Sequence, residues 1–466
     1  MPFTPRSPAR AFAGKTFLAR KRLRAGSRAP FHLGLSLCGA GLWVLSVAGC
    51  SSSQAPLPTP PAARPLSTDV DATSQGIRFF VERTKKDPQD FIALNKLSGL
   101  HLKRFRETSN IDFLNRALEA AEKSLQVMPA EINTDGLGAL VECRFAAHDF
   151  AGARSGAQDW VRRNPRLALA QAIYGDVMME TGEYDEARAA YEETERLAGP
   201  ESVLAATRMA RLRELQGKPD EAERHMVVGL RALLGFAAPP AETVAWCHWS
   251  LGEMAFSRGR YEKAEKHYRD SLTTFPNYAR SHAGLGKALA ALDRRAEAIQ
   301  EYEASVRNLP DPTFLAALGD LYLLAGKKSE AEARYAVVEG IAKLGKTQGV
   351  LYNRAINQFR ADHDREVEAA YAAVKAEFET RKDLLGTDLL AWSALKAGKL
   401  EEAEAAATLL FKQGLQDPRF HYHAGMIFRA RGKSQEARKH LETALKLSPR
   451  FDPLQAPLAE KALKSL

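Results

Sequence analysis

Three consecutive stretches between residues 245 and 339 repeat one pattern of small and aromatic residues. In each, a Leu-Gly pair is followed twelve residues later by an alanine and four residues after that by a tyrosine. The three sets are Leu251, Gly252, Ala264 and Tyr268; Leu285, Gly286, Ala298 and Tyr302; and Leu318, Gly319, Ala331 and Tyr335. The glycines are 34 and then 33 residues apart, a period typical of a repeated helix–turn–helix unit.

The pattern of residues between these markers predicts helices. Apolar residues recur at intervals of three and four, as in Leu285, Leu289 and Leu292, which is a helical stripe and not the alternation of a strand. Glycine and alanine at fixed offsets indicate places where two helix backbones approach too closely for a larger side chain. Because one helix pair cannot bury its own apolar face, neighbouring pairs must stack to complete the core.

The pattern resembles the tetratricopeptide repeat, whose period of about 34 residues carries W-x-x-L-G-x-x-Y, a later alanine and aromatic residue, and a closing proline. Pro276 and Pro310 stand at the closing position of the first two units. The resemblance implies an all-α, right-handed superhelical solenoid. It also implies a protein that binds other proteins and is not an enzyme.

Marker alanines extend the repeat beyond the central three units. They are Ala117, Ala153, Ala187, Ala222, Ala264, Ala298, Ala331, Ala403 and Ala437. Most steps between them are 33 to 36 residues; one step of 72 indicates two units with a degenerate marker near Val367. We therefore predict about ten units, and a short capping helix that ends at Leu466.

One step of 42 residues marks an insertion at residues 234–240, where Pro239 and Pro240 cannot continue a helix interior. We predict that this insertion divides the repeats into two blocks, residues 76–236 and residues 237–466. The second block includes the C-terminal cap.

The positive charge of the chain is concentrated at its start. Eight of the 66 lysines and arginines, and none of the 57 acidic residues, lie in residues 1–49, so the remainder is nearly neutral. The formal charge of +9 therefore gives no reason to predict a nucleic-acid partner. Residues 1–49 have the charged and then apolar order of a signal peptide, with an apolar run from Phe31 to Leu45.

The leader ends in Val47-Ala48-Gly49-Cys50, which resembles the lipobox of bacterial lipoproteins. The resemblance implies lipidation of Cys50, and Ser51 after it implies an anchor in the outer membrane, facing the periplasm. Residues 50–75 are rich in serine and proline and are predicted to form a tether. The chain therefore resembles a bacterial tetratricopeptide lipoprotein, and residues 351–463 resemble bacterial repeat proteins of unassigned function.

Motifs for phosphate binding, a disulfide and a metal site occur without the structural context that each requires. Residues 340–347 match G-x-x-x-x-G-K-[ST], but the register of Ala331 and Tyr335 places them in a helix and not after a buried strand, so we reject a phosphate loop. Cys143 and Cys247 lie three repeats apart, too far for a disulfide. His421 and His423 point to different sides of a helix. We predict no catalytic residues, no metal site and no cofactor.

A binding surface remains. In the family that the chain resembles, the first helix of each pair lines a concave groove, and that resemblance selects nine positions. They are Trp246, Trp249, Glu253, Phe256, Arg280, Lys287, Asp320, Tyr422 and Arg429. Aromatic residues dominate interface energies, so Trp246 and Trp249 suit a peptide groove. The alternative is that both tryptophans fill space beside the insertion.

Two hypotheses of function follow. The first is a non-enzymatic, lipid-anchored scaffold of the cell envelope that binds a protein or peptide in its groove. The second is an enzyme or a small-ligand-binding accessory protein, with a site between the two repeat blocks near Leu234–Trp249.

Overall fold

The structure is a computed structural model that describes residues 66–348 and 353–466. Twenty-two helices and no strand occur in these residues. They are α1 Leu66–Lys86, α2 Phe91–Thr108, α3 Ile111–Val127, α4 Thr134–Ala146, α5 Phe150–Arg163, α6 Ala168–Thr181, α7 Tyr184–Ala198, α8 Val203–Leu215, α9 Pro219–Leu234, α10 Ala241–Phe256, α11 Tyr261–Thr274, α12 Ala279–Ala291, α13 Arg295–Asn308, α14 Pro312–Leu324, α15 Lys328–Gln348, α16 Asn353–Asp362, α17 Val367–Phe378, α18 Leu384–Lys396, α19 Leu400–Leu410, α20 Pro418–Ala430, α21 Ser434–Leu447 and α22 Gln455–Lys464.

The helices from α2 to α21 form ten consecutive pairs, and α22 follows them as a C-terminal cap. The all-α solenoid of about ten units is thus confirmed. The degenerate unit is also present, as α16 and α17.

The glycine and tyrosine markers meet inside each pair. A Cβ atom placed on Gly252 would lie 2.5 Å from the ring of Tyr268, and one on Gly286 would lie 2.5 Å from the ring of Tyr302. A real Cβ cannot occupy such a position, so the first helix needs glycine where the tyrosine of the second helix crosses it. The marker alanines are all buried for the same reason, since each lies where two helices are in close contact.

The first helix of each pair forms the inner layer of the stack. First helices contact the first helix of the next pair, as in α2 with α4, α10 with α12 and α18 with α20. A second helix packs mainly on its own first helix and on the first helix that follows. In a curved stack the layer at the smaller radius has the shorter spacing, so the first helices lie on the concave side.

The helical array curves until its two halves touch. Turns within the third to sixth pairs contact the loops that follow α17, α19 and α21, and we call these contacts the closure interface. The backbone N–H of Leu384 donates to the hydroxyl of Tyr184 at 2.6 Å, and the backbone N–H of Arg450 donates to the hydroxyl of Tyr261 at 2.7 Å. Arg381 also forms an ion pair with Glu180.

Two glycines allow the closure interface to form. Gly182 and Gly217 both have positive φ, at 90° and 67°. A Cβ on Gly182 would lie 2.5 Å from the carbonyl oxygen of Lys382, and a Cβ on Gly217 would lie 2.1 Å from that of Gly414. Both positions therefore require glycine for its backbone conformation and for its lack of a side chain.

Residues 66–75, which the sequence analysis assigned to the tether, belong to α1. Thr73 is buried and donates its hydroxyl to Glu107 of α2 at 3.0 Å, so this part of the chain packs on the first pair. The signal peptide, Cys50 and residues 50–65 lie outside the described residues.

The two predicted blocks are in contact across the insertion. Met226 and Leu230 of α9 share a buried cluster with Val244 and Leu251 of α10. The division into blocks at residue 236 stays a prediction.

Candidate functional site

The tyrosines of three repeats fix acidic side chains on the inner layer. Each donates a hydrogen bond from its hydroxyl to the carboxylate that directly follows the glycine of the first helix. The bonds join Tyr191 to Asp176 at 2.8 Å, Tyr268 to Glu253 at 2.6 Å and Tyr335 to Asp320 at 2.6 Å. Because the three tyrosines are buried, each bond holds its carboxylate in one position.

Three of the predicted groove residues form one cluster. Lys287 of α12 donates to Glu253 of α10 at 2.6 Å, and its ammonium group lies 4.4 Å from the ring centre of Phe256. The side chains of Lys287 and Glu253 are 29% and 35% exposed, so both can reach a ligand. Phe256 is only 5% exposed and contributes to the core instead.

Trp249 and Arg280 form a second contact between the same two helices. The guanidinium carbon of Arg280 lies 5.4 Å from the ring centre of Trp249, within the range of a cation–π interaction. Arg280 is exposed, whereas Trp249 and Trp246 are half-buried against the neighbouring core. Each tryptophan thus packs on one side and is accessible on the other.

Asp320 of α14 takes part in a small network. Its carboxylate accepts the hydroxyl of Tyr335 and lies 2.7 Å from Nε2 of His363. Burial lowers the pKa of His363, but the hydrogen bond to Asp320 and its negative charge more than offset this, so the pKa is raised above its usual value.

The last two predicted groove residues lie on α20 and differ in their exposure to solvent. Tyr422 is 2% exposed and packs against Trp392 and Phe451, so it is a core residue in this conformation. Arg429 is exposed near the end of the helix. The structure therefore brings together the candidates from Trp246 to Lys287 on α10 and α12, whereas Arg429 lies on a helix of the last pair.

Asp452, which sequence reasoning missed, faces the same interior. Burial, together with the charges of Asp320 and Asp362, raises the pKa of Asp452 to about 6. Burial and the carboxylates of Glu253, Asp452 and Asp320 also raise the pKa of Tyr302. Since these groups come from four different repeats and the cap, no sequence signal links them.

A second carboxyl group with a raised pKa, that of Glu214, is influenced by a charge from the other half of the array. Burial raises the pKa of Glu214 on α8 to about 7, although Arg258 and Arg211 act in the opposite direction. The charge of Asp417, which precedes α20, contributes to the same increase. Burial therefore disfavours the charged forms of Glu214, in the first half of the array, and of Asp452, in the second half.

Two histidines and a carboxylate form a further group that sequence reasoning missed. His248 lies on α10, and His267 and Asp270 lie one turn apart on α11. One ligand atom from each lies within 4.8 Å of the others. Burial, which is the main cause, and the neighbouring His248 lower the pKa of His267 to about 4.

The phosphate-loop motif and the cysteine pair, both rejected as functional sites in the sequence analysis, lie in the structural contexts predicted for them. Residues 340–347 belong to the helix α15, so their backbone forms no phosphate-binding loop. Cys143 and Cys247 are free and buried, and burial raises their pKa values to about 11 and about 12, which makes the thiols unreactive. No helix in the described part of the chain is long and apolar enough to cross a membrane.

His421 and His423 do point to different sides of α20. His421 contacts His440, with 2.9 Å between their Nδ1 atoms. His423 instead pairs with Asp388 at 2.9 Å and stacks on Trp392 with ring centres 4.2 Å apart.

Comparison with known families agrees with the repeat geometry. One family model of the tetratricopeptide repeat matches residues 175–226 and 389–450, and a second matches residues 255–316. These three segments of the chain are thus tetratricopeptide repeats. No curated protein matches it significantly.

Solved structures with partial similarity include that of PilW, described as a widely conserved type IV pilus biogenesis factor. It is 15% identical, with a TM-score of 0.39, and the match covers 44% of this chain and 92% of PilW. Two structures of MamA are each 16% identical with TM-scores of 0.29. Their matches cover 39% and 36% of this chain, and 93% and 94% of the MamA chains.

Proposed function

We propose that the protein is a lipid-anchored, non-enzymatic scaffold of the cell envelope that holds a segment of another protein against its first helices. Tetratricopeptide repeats suggest protein partners, and the lipobox-like sequence before Cys50 supports an anchor. The surface of α10 and α12 around Trp249 and Arg280 is the proposed contact region, which we call the tryptophan patch. It comprises Trp246, Trp249, Glu253, Arg280 and Lys287.

The tryptophan patch carries this proposal because it combines the two properties of a binding surface. The tryptophans offer accessible apolar area, and their packing against the core holds them in place before a ligand arrives. Arg280 offers an exposed charge beside them. Glu253 and Lys287 offer both signs of charge a short distance along the layer.

The experiment places a photoreactive amino acid at single positions of the chain in cells. Arg280 on α12 reports on the tryptophan patch. Arg269 is the matched control because it is an exposed arginine on α11, the second helix of the pair that holds Trp246 and Trp249. We expect one protein to cross-link from position 280 and not from position 269. Equal cross-linking from both positions, or none from position 280, would contradict the proposed surface.

The second hypothesis, a ligand-binding accessory protein, also has an observation in its favour. His248, beside Trp249, belongs to the histidine and aspartate group near the predicted block boundary. This group offers ligand atoms for an ion rather than a surface for a protein.

A further inference from the structure

The group of His248, His267 and Asp270 lies between the two helices of the fifth pair. His248 is 3% exposed and His267 is 5% exposed, while Asp270 is partly open to solvent. The pair is next to the insertion at residues 234–240, where the repeat period is interrupted. The group therefore lies at an irregular point of an otherwise regular array.

Three of the four ring nitrogens of the two histidines are buried without a hydrogen-bond partner. Neither Nδ1 nor Nε2 of His248 has a hydrogen-bond partner, and Nδ1 of His267 has none either. A neutral imidazole has one donor and one acceptor, and buried polar groups are nearly always paired. A histidine with both nitrogens buried and unpaired is thus a polar group whose partner is unaccounted for.

We propose that His248, His267 and Asp270 bind a divalent transition metal ion, with zinc as the best match. Two imidazole nitrogens and one carboxylate oxygen are a known donor set for zinc, with a fourth position left for water or another ligand. A tetrahedral site with bonds of about 2.0–2.1 Å places its donor atoms about 3.3 Å apart, so the three side chains close inward on binding.

The carboxylate of Asp270 has an oxygen atom available for the metal ion. Lys266 donates to one oxygen of Asp270 at 2.6 Å, which leaves the other oxygen for a metal ion. Lys266 is mostly exposed, so its ammonium group can return to water when the ion binds. The ion would then connect α10 to α11 at the tryptophan patch.

The test uses the full-length chain purified in detergent without a histidine tag, titrated with cobalt(II) and then with zinc(II). Asp270→Asn and His267→Gln each remove one ligand, and Asp270→Asn changes only a partly exposed side chain. His440→Gln is the matched control, because His421 and His440 are a second close pair of histidines, with 2.9 Å between their Nδ1 atoms. No third ligand joins that pair in the residues that the structure describes.

We expect one equivalent of cobalt(II) with a tetrahedral absorption spectrum in the wild type and in His440→Gln. Asp270→Asn and His267→Gln should weaken zinc binding at least about tenfold, with circular dichroism showing that the variants are folded. X-ray absorption of the zinc form should show nitrogen and oxygen ligands without sulfur. No uptake by the wild type, sulfur ligands, or unchanged affinity in folded Asp270→Asn would overturn the proposal.

Discussion

The hydroxyl of Tyr184 accepts a hydrogen bond from the backbone N–H of Leu384, 200 residues further along the chain, at 2.6 Å. Contacts of this kind join the turn of one helix pair to a loop five or six pairs further along the chain. They make the two halves of the array support one another, whereas an open solenoid has contacts only between neighbouring repeats.

The closure interface predicts that two similar glycine substitutions have different effects. Gly217→Ala and Gly432→Ala both place an alanine at positive φ, but only at position 217 does the new Cβ meet a backbone oxygen, that of Gly414. Gly432→Ala should lower the free energy of unfolding by about 1 kcal/mol. Gly217→Ala should lower it by at least about 1–3 kcal/mol more, as measured by urea denaturation. Equal losses would contradict the closure interface.

Marker glycines inside the pairs give a second prediction. Gly252→Ala places a Cβ against the buried ring of Tyr268 and should destabilise the protein by about 1–3 kcal/mol. Gly340→Ala lies in the helix α15 with no atom within 4 Å of the new Cβ, so it should stabilise the protein by up to about 1 kcal/mol. Thermal unfolding of both variants separates the two effects, and a stabilising Gly252→Ala would be inconsistent with the packing.

Much of the fold could be predicted from the sequence because each repeat is specified locally. The distance from Gly252 to Ala264 to Tyr268 is short, and helical geometry alone determines which side chains meet. The same local rule correctly placed residues 340–347 in a helix.

The rest could not be predicted, because it depends on small rotations that accumulate from repeat to repeat. The contact between Gly217 and Gly414 depends on the curvature of several pairs together, and so does the influence of the Asp320 charge on Asp452. The pairing of His248 with His267 needs the exact approach of two helices, which residue spacing does not supply.

The raised pKa of Asp452 predicts a dependence of stability on pH. Its pKa is about 6 in the folded protein against an ordinary value near 4, so the folded state binds more protons between these values. The contribution of Asp452 to stability should therefore fall as the pH rises from about 4 to about 6 and remain lower above that. Asp452→Asn should remove this cost and raise the free energy of unfolding at pH 7 by about 1–3 kcal/mol.

The comparison is made by urea denaturation at pH 4 and at pH 7. Asn can still accept the two backbone hydrogen bonds that Asp452 accepts from Leu454 and Gln455, which makes it the suitable substitute. Asp185→Asn, at an exposed carboxylate, controls for the removal of one charge. A gain for Asp452→Asn that is the same at both pH values would be evidence against the interior burial of this group.

The proposed anchor gives a prediction that does not depend on the repeats. Cells grown with a radioactive fatty acid should label the wild-type protein and not Cys50→Ser, because only the cysteine thiol can carry the lipid. The unlabelled variant should also leave the membrane fraction or keep its leader. Lack of label on the wild type would show that the proposed lipidation is wrong.

Binding of a protein partner at the tryptophan patch is tested by comparing the affinity of the cross-linked partner for the wild-type protein and for the Trp249→Ala variant. Trp249 is half-buried, so its truncation should weaken binding by about 2 kcal/mol or more. The same change should reduce stability less than Trp160→Ala, which removes a buried side chain and should cost about 3–5 kcal/mol. Unchanged affinity, or a loss of binding accompanied by a loss of stability as large as that of Trp160→Ala, would contradict binding at the tryptophan patch.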